Sequence, residues 1–223
     1  MLHSKLFKMS LFIIITLMIC SSICNGNEKE RLLVNIKNKI NACKTKEDAK
    51  RFLNYVQNVM DIVQTSFSQL VSTRKIEDVY KIKKNLLYNY FESDACVQIS
   101  SINSSLLLTQ IINDYLNRLT NYNYRYGKVE LYFDKEYLAF GNIYEFGPKN
   151  NRAYEFNLTA SQIFKGYIGD YIQYGDATIK VFNFVFKKVE NSWTLKIKSI
   201  TAKETYSLEN YEIDKDTILL KEN

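Results

Sequence analysis

Few of the 223 residues could carry catalysis, and their types exclude more than they suggest. His3 is the only histidine, and it lies inside the leader described below. Once the leader is removed, neither a Ser–His or Cys–His mechanism nor a His-ligated metal site can be built. The carboxylates Asp134, Glu136 and Glu145 fall on or near strand-like stretches and read as solvated faces and turns. Asp61 sits on the edge of a helical stripe, where a surface position is favoured over a cavity acid. The stretch "NRLTNYNYRYGK" interleaves Arg118, Arg125 and Lys128 with Tyr122, Tyr124 and Tyr126. Basic and stacking residues in alternation can hold single-stranded nucleic acid. Here they read instead as the start of a strand with three tyrosines on one face, because the net charge is only +6 over mixed Lys and Glu. No glycine-rich phosphate loop and no metal-ligand spacing occurs. No catalytic residue, metal, cofactor or nucleic-acid partner is therefore expected.

Residues 1–26 read as a signal peptide. Lys5 and Lys8 precede an apolar run, Leu11 to Cys20, interrupted by Thr16 and followed by "SSICNG". Cleavage is expected after Gly26 or Cys24. A bilayer span takes about 20 apolar residues, more than this run offers; an uncleaved anchor is the disfavoured alternative. The chain is thus expected to be secreted, with no membrane attachment after cleavage. Removing Lys5 and Lys8, with no acid, lowers the formal net charge from +6 to +4. Cys20 and Cys24 also leave. Cys43 and Cys96 remain, and in an oxidising compartment one disulfide is expected. Closing their loop would contribute roughly 4 kcal/mol. A free reactive thiol is the alternative, and no cationic neighbour favours it. Sequons at Asn103 and Asn157 are candidate glycosylation sites.

The elements that must position any site are helical first. Residues 28–42 form an amphipathic helix with Leu32, Leu33, Ile36 and Ile40 on one side. Thr45 and Asp48 resemble a capping box, and Phe52, Leu53, Val56, Val59, Met60, Val63, Phe67 and Leu70 then recur at helical spacing. A further helix falls within 73–91, a short strand at 94–100, and a helix at 104–120. From residue 122 the period becomes two. Strands at 124–133 and 136–146 are joined through a turn at Asp134-Lys135, "GPKNN" at 147–151 is the clearest turn, and 152–160 is a third strand. Residues 160–176 are expected to be extended with a bend. A closing hairpin follows, with Phe182, Phe184 and Phe186 on the same face as Trp193, Leu195 and Ile197. Lys187, Lys196 and Lys198 take the other face, since a one-residue slip would mix Phe with Lys on both. The fold class is α+β: N-terminal helices packed on a strongly curved antiparallel sheet.

Three stretches, "NLLYNYFESDACVQI", "LLLTQIINDYLNRL" and "VFNFVFKKVENSWTLKIKSI", resemble in order and spacing the nuclear transport factor 2 superfamily, which includes ketosteroid isomerase, polyketide cyclases and secreted nematode proteins of unknown role. The resemblance spans 45–203, leaving 27–44 as a helical extension and 204–223 as a polar tail. It implies a cone whose open end can hold a small apolar molecule, with the six hairpin residues Phe182, Phe184, Phe186, Trp193, Leu195 and Ile197 as candidate cavity lining. In the isomerase branch the catalytic aspartate lies five residues after the aspartate that opens its strand. Counting from Asp94 reaches Ile99, which cannot take a proton. The dehydratase branch relies on a histidine that the mature chain lacks. The interior is therefore expected to hold nothing that moves protons, and the chain to be a non-enzymatic secreted domain binding a small apolar ligand. The alternatives are a pairing or homodimer module using Tyr and Val on the outer face of 129–133 and 179–189, and an isomerase or cyclase using Tyr with Asp or Glu.

Overall fold

The computed structural model describes residues 26–148, 152–190 and 192–211, with side chains described except at 26–28 and 135–139. Residues 1–25, where the signal peptide is expected, the end of the tail from 212 and the Glu136 side chain lie outside the described residues. Helix α1 (Gly26–Lys39) leads into α2 (Lys46–Leu70), which starts on a full capping box. The Thr45 hydroxyl accepts from the Asp48 N–H at 3.0 Å, and the Asp48 carboxylate accepts from the Thr45 N–H at 2.9 Å. Phe52, Val56, Val59, Met60, Val63, Phe67 and Leu70 form its buried stripe, because residues three and four apart share a helix face. Helix α3 (Ile76–Asn89) precedes strand β1 (Phe91–Ser101).

The next segment departs from the expected helix at 104–120. Ser104–Ile111 is strand β2, antiparallel to β1, and only then does helix α4 (Ile112–Arg125) begin. The run Leu106-Leu107-Leu108 satisfies either period, and backbone pairing with β1 decides for the strand. Four long strands complete the sheet: β3 (Lys128–Phe146), β4 (Ala153–Ile168), β5 (Tyr171–Val189) and β6 (Ser192–Ser207). No turn forms at Asp134-Lys135. β3 runs through, and its register against β4 jumps between Asp134 and Ala139, so a bulge bends the strand. Residues 160–176, expected to be extended with a bend, belong to β4 and β5, which meet at a turn where Gly169 takes φ 61°.

The strand order is β2-β1-β6-β5-β4-β3, with β1 parallel to β6 and the other pairs antiparallel. Helices cover the concave face. On the convex face Tyr211, from a helical turn at 208–211, is buried with Ile163, Ala177 and Ile179. The expected polar tail is thus structured at its start: residues 204–207 extend β6, and Tyr211 seals part of the outer face.

The expected disulfide is not formed. Both thiols are free. Cys43, between α1 and α2, packs in the core on the helix side. On β1 the buried Ala95 and Val97 point to that same side, so alternation turns Cys96 to the opposite face. The sheet stands between the two sulfurs. Burial pushes the Cys43 thiol up to about 11, which makes it a poor nucleophile.

Candidate functional site

The inward face of β5 changes character along its length. From the C-terminal end it reads Phe186, Phe184 and Phe182, and the same alternation continues through Lys180, Thr178, Asp176 and Tyr174. The phenylalanine half is knit together by ring contacts. Phe184 stacks on Phe156 at 5.2 Å, Phe52 of α2 meets Phe156 at 5.4 Å and Phe186 at 5.0 Å, and Trp193 stacks on Phe186 at 4.6 Å. Phe182 meets Phe133 at 5.1 Å. Phe184 faces Ile197 and Phe186 faces Leu195 across the β5–β6 ladder, as the alternation predicts. A bulge between Asn183 and Phe184 then brings Ile200 opposite Phe182. Five of the six candidate lining residues are buried and Trp193 is half-buried.

The polar half lines a cavity of about 650 Å³ between the sheet, α4 and the β1–β2 hairpin. None of the six predicted residues lines it. Its floor is Asp176, Thr178 and Lys180, exposed by only 7%, 3% and 3%. Ile99, Leu119, Leu131 and Phe164 supply apolar wall, and Arg118, Tyr122 and Arg125 come from α4. The phenol of Tyr174 donates to the Asp176 carboxylate and lies 2.9 Å from the Ser101 hydroxyl, which ties the β1–β2 tip to β5. Gln162 donates to the Tyr115 hydroxyl at 3.5 Å.

Lys180 owes its place to the way the sheet opens. The β1–β6 ladder ends at Val97↔Ile200. Beyond it the Gln98 amide oxygen accepts from the Ala202 N–H at 3.2 Å, and the Gln98 carbonyl accepts from Lys180 Nζ at 2.6 Å. Among the described residues no carboxylate lies within ion-pair distance of Lys180. Burial, opposed only by the more distant Asp176 charge, brings the ammonium down to about 8. The Asp176 carboxyl is shifted the other way: burial raises it, against the Tyr174 hydrogen bond and the Lys180 charge. Tyr174 itself is held well above the usual phenol range by burial and by the carboxylate beside it. An interior without proton-carrying groups is therefore not what the chain has. Ile99 does face the cavity as an aliphatic, but the acid and the amine sit across from it on β5.

Tyr122 and Tyr126 face the cavity whereas Tyr124 is exposed, and residues up to Arg125 are helical, so the three tyrosines do not share one strand face. Arg118 donates from Nε to the Tyr122 hydroxyl at 3.1 Å, one helical turn along. Asp61 is half-buried and accepts from Gln57 at 3.4 Å; Asp134 accepts from the Tyr211 hydroxyl at 3.3 Å; Glu145 pairs with Arg152 at 2.5 Å. Asn103 is exposed at the β1–β2 turn. Asn157 is half-buried in mid-sheet, its amide so close over Gly141 that a Cβ there would lie 1.6 Å from Oδ1. Of the Tyr and Val suggested for pairing, Val129, Val181 and Val185 are buried, Tyr132 is half-buried and Val189, at the end of β5, is exposed. Among the described residues no group of three or more His, Cys, Asp or Glu is placed to hold a metal, and no helix is long and apolar enough to cross a membrane.

Element order, sheet order and the cavity between sheet and helices give the chain an α+β cone fold, the fold that the resemblance to the nuclear transport factor 2 superfamily implied. No protein-family model matches the sequence, and no curated protein matches it. Solved structures similar to it include a scytalone dehydratase-like protein from Novosphingobium aromaticivorans, at 10% identity over 73% of this chain and 91% of that one, with a TM-score of 0.42. The β subunit of benzoate 1,2-dioxygenase from Burkholderia mallei is similar at 10% identity over 66% and 86%, TM-score 0.33. A hexachlorocyclohexane dehydrochlorinase is similar at 13% identity over 63% and 91%, TM-score 0.31. At these identities the likeness is one of fold and says nothing about chemistry.

The signal that would have located the cavity is in the sequence. Extending the alternation of Phe182, Phe184 and Phe186 backwards puts Lys180, Thr178 and Asp176 on the same inward face, where buried polar residues mark a site rather than a core.

Proposed function

We propose that the chain is a secreted binding protein for a small amphipathic molecule, held in the open half of the cone with its polar end on Tyr174, Asp176 and Lys180. The observation that carries this reading is the polar floor of the cavity. An acid and an amine are buried there at a desolvation penalty that packing alone does not require, beside about 650 Å³ of space. That volume is in the range of small-molecule sites, which combine apolar walls with a few placed polar groups. Arg118 and Arg125 add positive charge on the α4 side. Export, and a glycan at the exposed Asn103, belong to the same proposal.

Titration calorimetry with 2-naphthol, an aromatic alcohol smaller than the cavity, tests it. Binding is expected, weakened about 10- to 100-fold in Tyr174→Phe and in Asp176→Asn, because a hydrogen bond to a charged group contributes about 1.5–3 kcal/mol. Absence of binding by the wild-type protein would remove the reading. A second reading, proton transfer on the bound molecule, is favoured by the Tyr174–Asp176 pair. It expects exchange of the α-protons of 2-tetralone for deuterium, lost in Asp176→Asn. No exchange above the buffer rate would reject it.

A further inference from the structure

We propose that Lys180 captures a carbonyl-bearing ligand, an aldehyde or an unhindered ketone with an apolar body, by forming a reversible imine at the floor of the cavity. The inference rests on the binding reading above and goes beyond it by naming the ligand's reactive group.

Three features support it. The first is placement. Lys180 lines the cavity on the inward face of β5, and its one hydrogen-bond partner among the described residues is the Gln98 carbonyl, at 2.6 Å. A neutral amine that donates one N–H to Gln98 keeps its lone pair for the carbonyl carbon of a guest. The second is charge. No described carboxylate pairs with the amine, and burial disfavours its protonated form, leaving a useful fraction as free amine near neutral pH. Desolvation of this kind is how lysine becomes a nucleophile toward carbonyls. The third is the company it keeps. Asp176 lies four residues away on the same face, joined to Tyr174, and both line the cavity with Lys180. The other titratable or charged groups around that space are Tyr115, Arg118, Tyr122, Arg125 and Tyr126, from α4 and the residue that ends it. None of these is a carboxylate that could lock Lys180 as an ion pair.

The chemistry balances without any oxidant or reductant. The neutral amine adds to the carbonyl carbon, and the resulting carbinolamine keeps nitrogen and oxygen on one carbon. Its hydroxyl leaves as water with a proton supplied by the Asp176 carboxyl, whose raised proton affinity suits that task, and the iminium N–H then returns a proton to that carboxylate. A carbon–nitrogen double bond replaces the carbon–oxygen one, and hydrolysis runs the same steps backwards to release the ligand.

The test uses the full mature chain and one equivalent of 2-naphthaldehyde, reduced with sodium cyanoborohydride and followed by intact and peptide mass spectrometry. The expected result is one adduct per chain, heavier by the aldehyde less one oxygen atom, located on Lys180. Its rate of formation should rise with pH to a plateau with a midpoint of about 8, whereas labelling of surface lysines keeps rising. Lys180→Met, checked for native near-ultraviolet circular dichroism, should give no adduct at that stoichiometry. An adduct that is absent, or spread over surface lysines and undiminished in the variant, overturns the imine if the wild type still binds 2-naphthol. Loss of 2-naphthol binding as well overturns the binding reading beneath it.

Discussion

Two halves of one strand face set the terms for this molecule. Along the inward side of β5, Phe182, Phe184 and Phe186 are clasped by α2 and by rings from β3 and β4. Tyr174, Asp176, Thr178 and Lys180 continue the same face at the same spacing, yet they meet α4 and the β1–β2 hairpin across a cavity. The difference arises where β1 parts from β6 after Val97↔Ile200, which leaves the Gln98 carbonyl for Lys180. One half is held together by ring contacts, each about 0.5–1.5 kcal/mol beyond its buried area. The other accepts desolvated charge. The first half is built from ring contacts, and the proposed binding and imine chemistry fall to the second.

The phenylalanine half is where a single substitution costs most. Phe184→Ala removes the stack on Phe156 and the contact opposite Ile197, and should lower stability by about 3–5 kcal/mol, read from the urea midpoint. Residual folded protein should still bind 2-naphthol. In the open half, Lys180→Met acts through pH. Below about 8 the lysine is charged in both the folded and unfolded chain, so its burial penalty is fully present. Between about 8 and the ordinary value of 10.5 only the unfolded chain keeps the proton, and wild-type stability rises relative to the variant. Paired urea titrations should find the difference moving in favour of wild type by about 2 kcal/mol between about pH 7 and pH 10. A difference independent of pH would mean that Lys180 is not desolvated.

Smaller effects sharpen the boundary. Gly166 lies under the ring of Tyr126, which borders the cavity; a Cβ would come within 2.7 Å of that ring. Gly166→Ala should push Tyr126 aside at a cost of about 1–3 kcal/mol and weaken 2-naphthol binding in calorimetry. Thr45→Ala removes the α2 cap on the closed side. It should cost about 1 kcal/mol and leave binding unchanged, so a binding loss there would tie the two halves together more tightly than the geometry implies.

Much of this architecture could be read from residues. The α2 stripe and its cap, the α+β class and the shared face of the terminal hairpin follow from spacing alone, because a misplaced register would bury Lys with Phe. What failed has local causes. Ser104–Ile111 carries three consecutive leucines, compatible with either period, and only its partner strand decides. Asp134-Lys135 looks like a turn but is a bulge, a feature set by the curvature of the whole sheet. The disulfide failed because pairing by elimination ignores parity: Cys96 alternates with Ala95 and Val97 and must face away from Cys43. The six hairpin residues are expected to line the cavity because they are the more apolar, whereas the cavity is lined four to eight residues before Phe182 on the same β5 face, at Tyr174, Asp176 and Thr178 with Lys180 beside them.

Backbone and tryptophan-indole NMR shifts during titration with 2-naphthol test the division of the cone most directly. Tyr174, Asp176, Thr178, Lys180 and Leu119 should move and saturate together, with the Trp193 indole and the amides of Phe184 and Phe186 unchanged. Shifts centred on Trp193, Phe184 and Phe186, with Asp176 and Lys180 silent, would place the ligand among the rings and contradict the account.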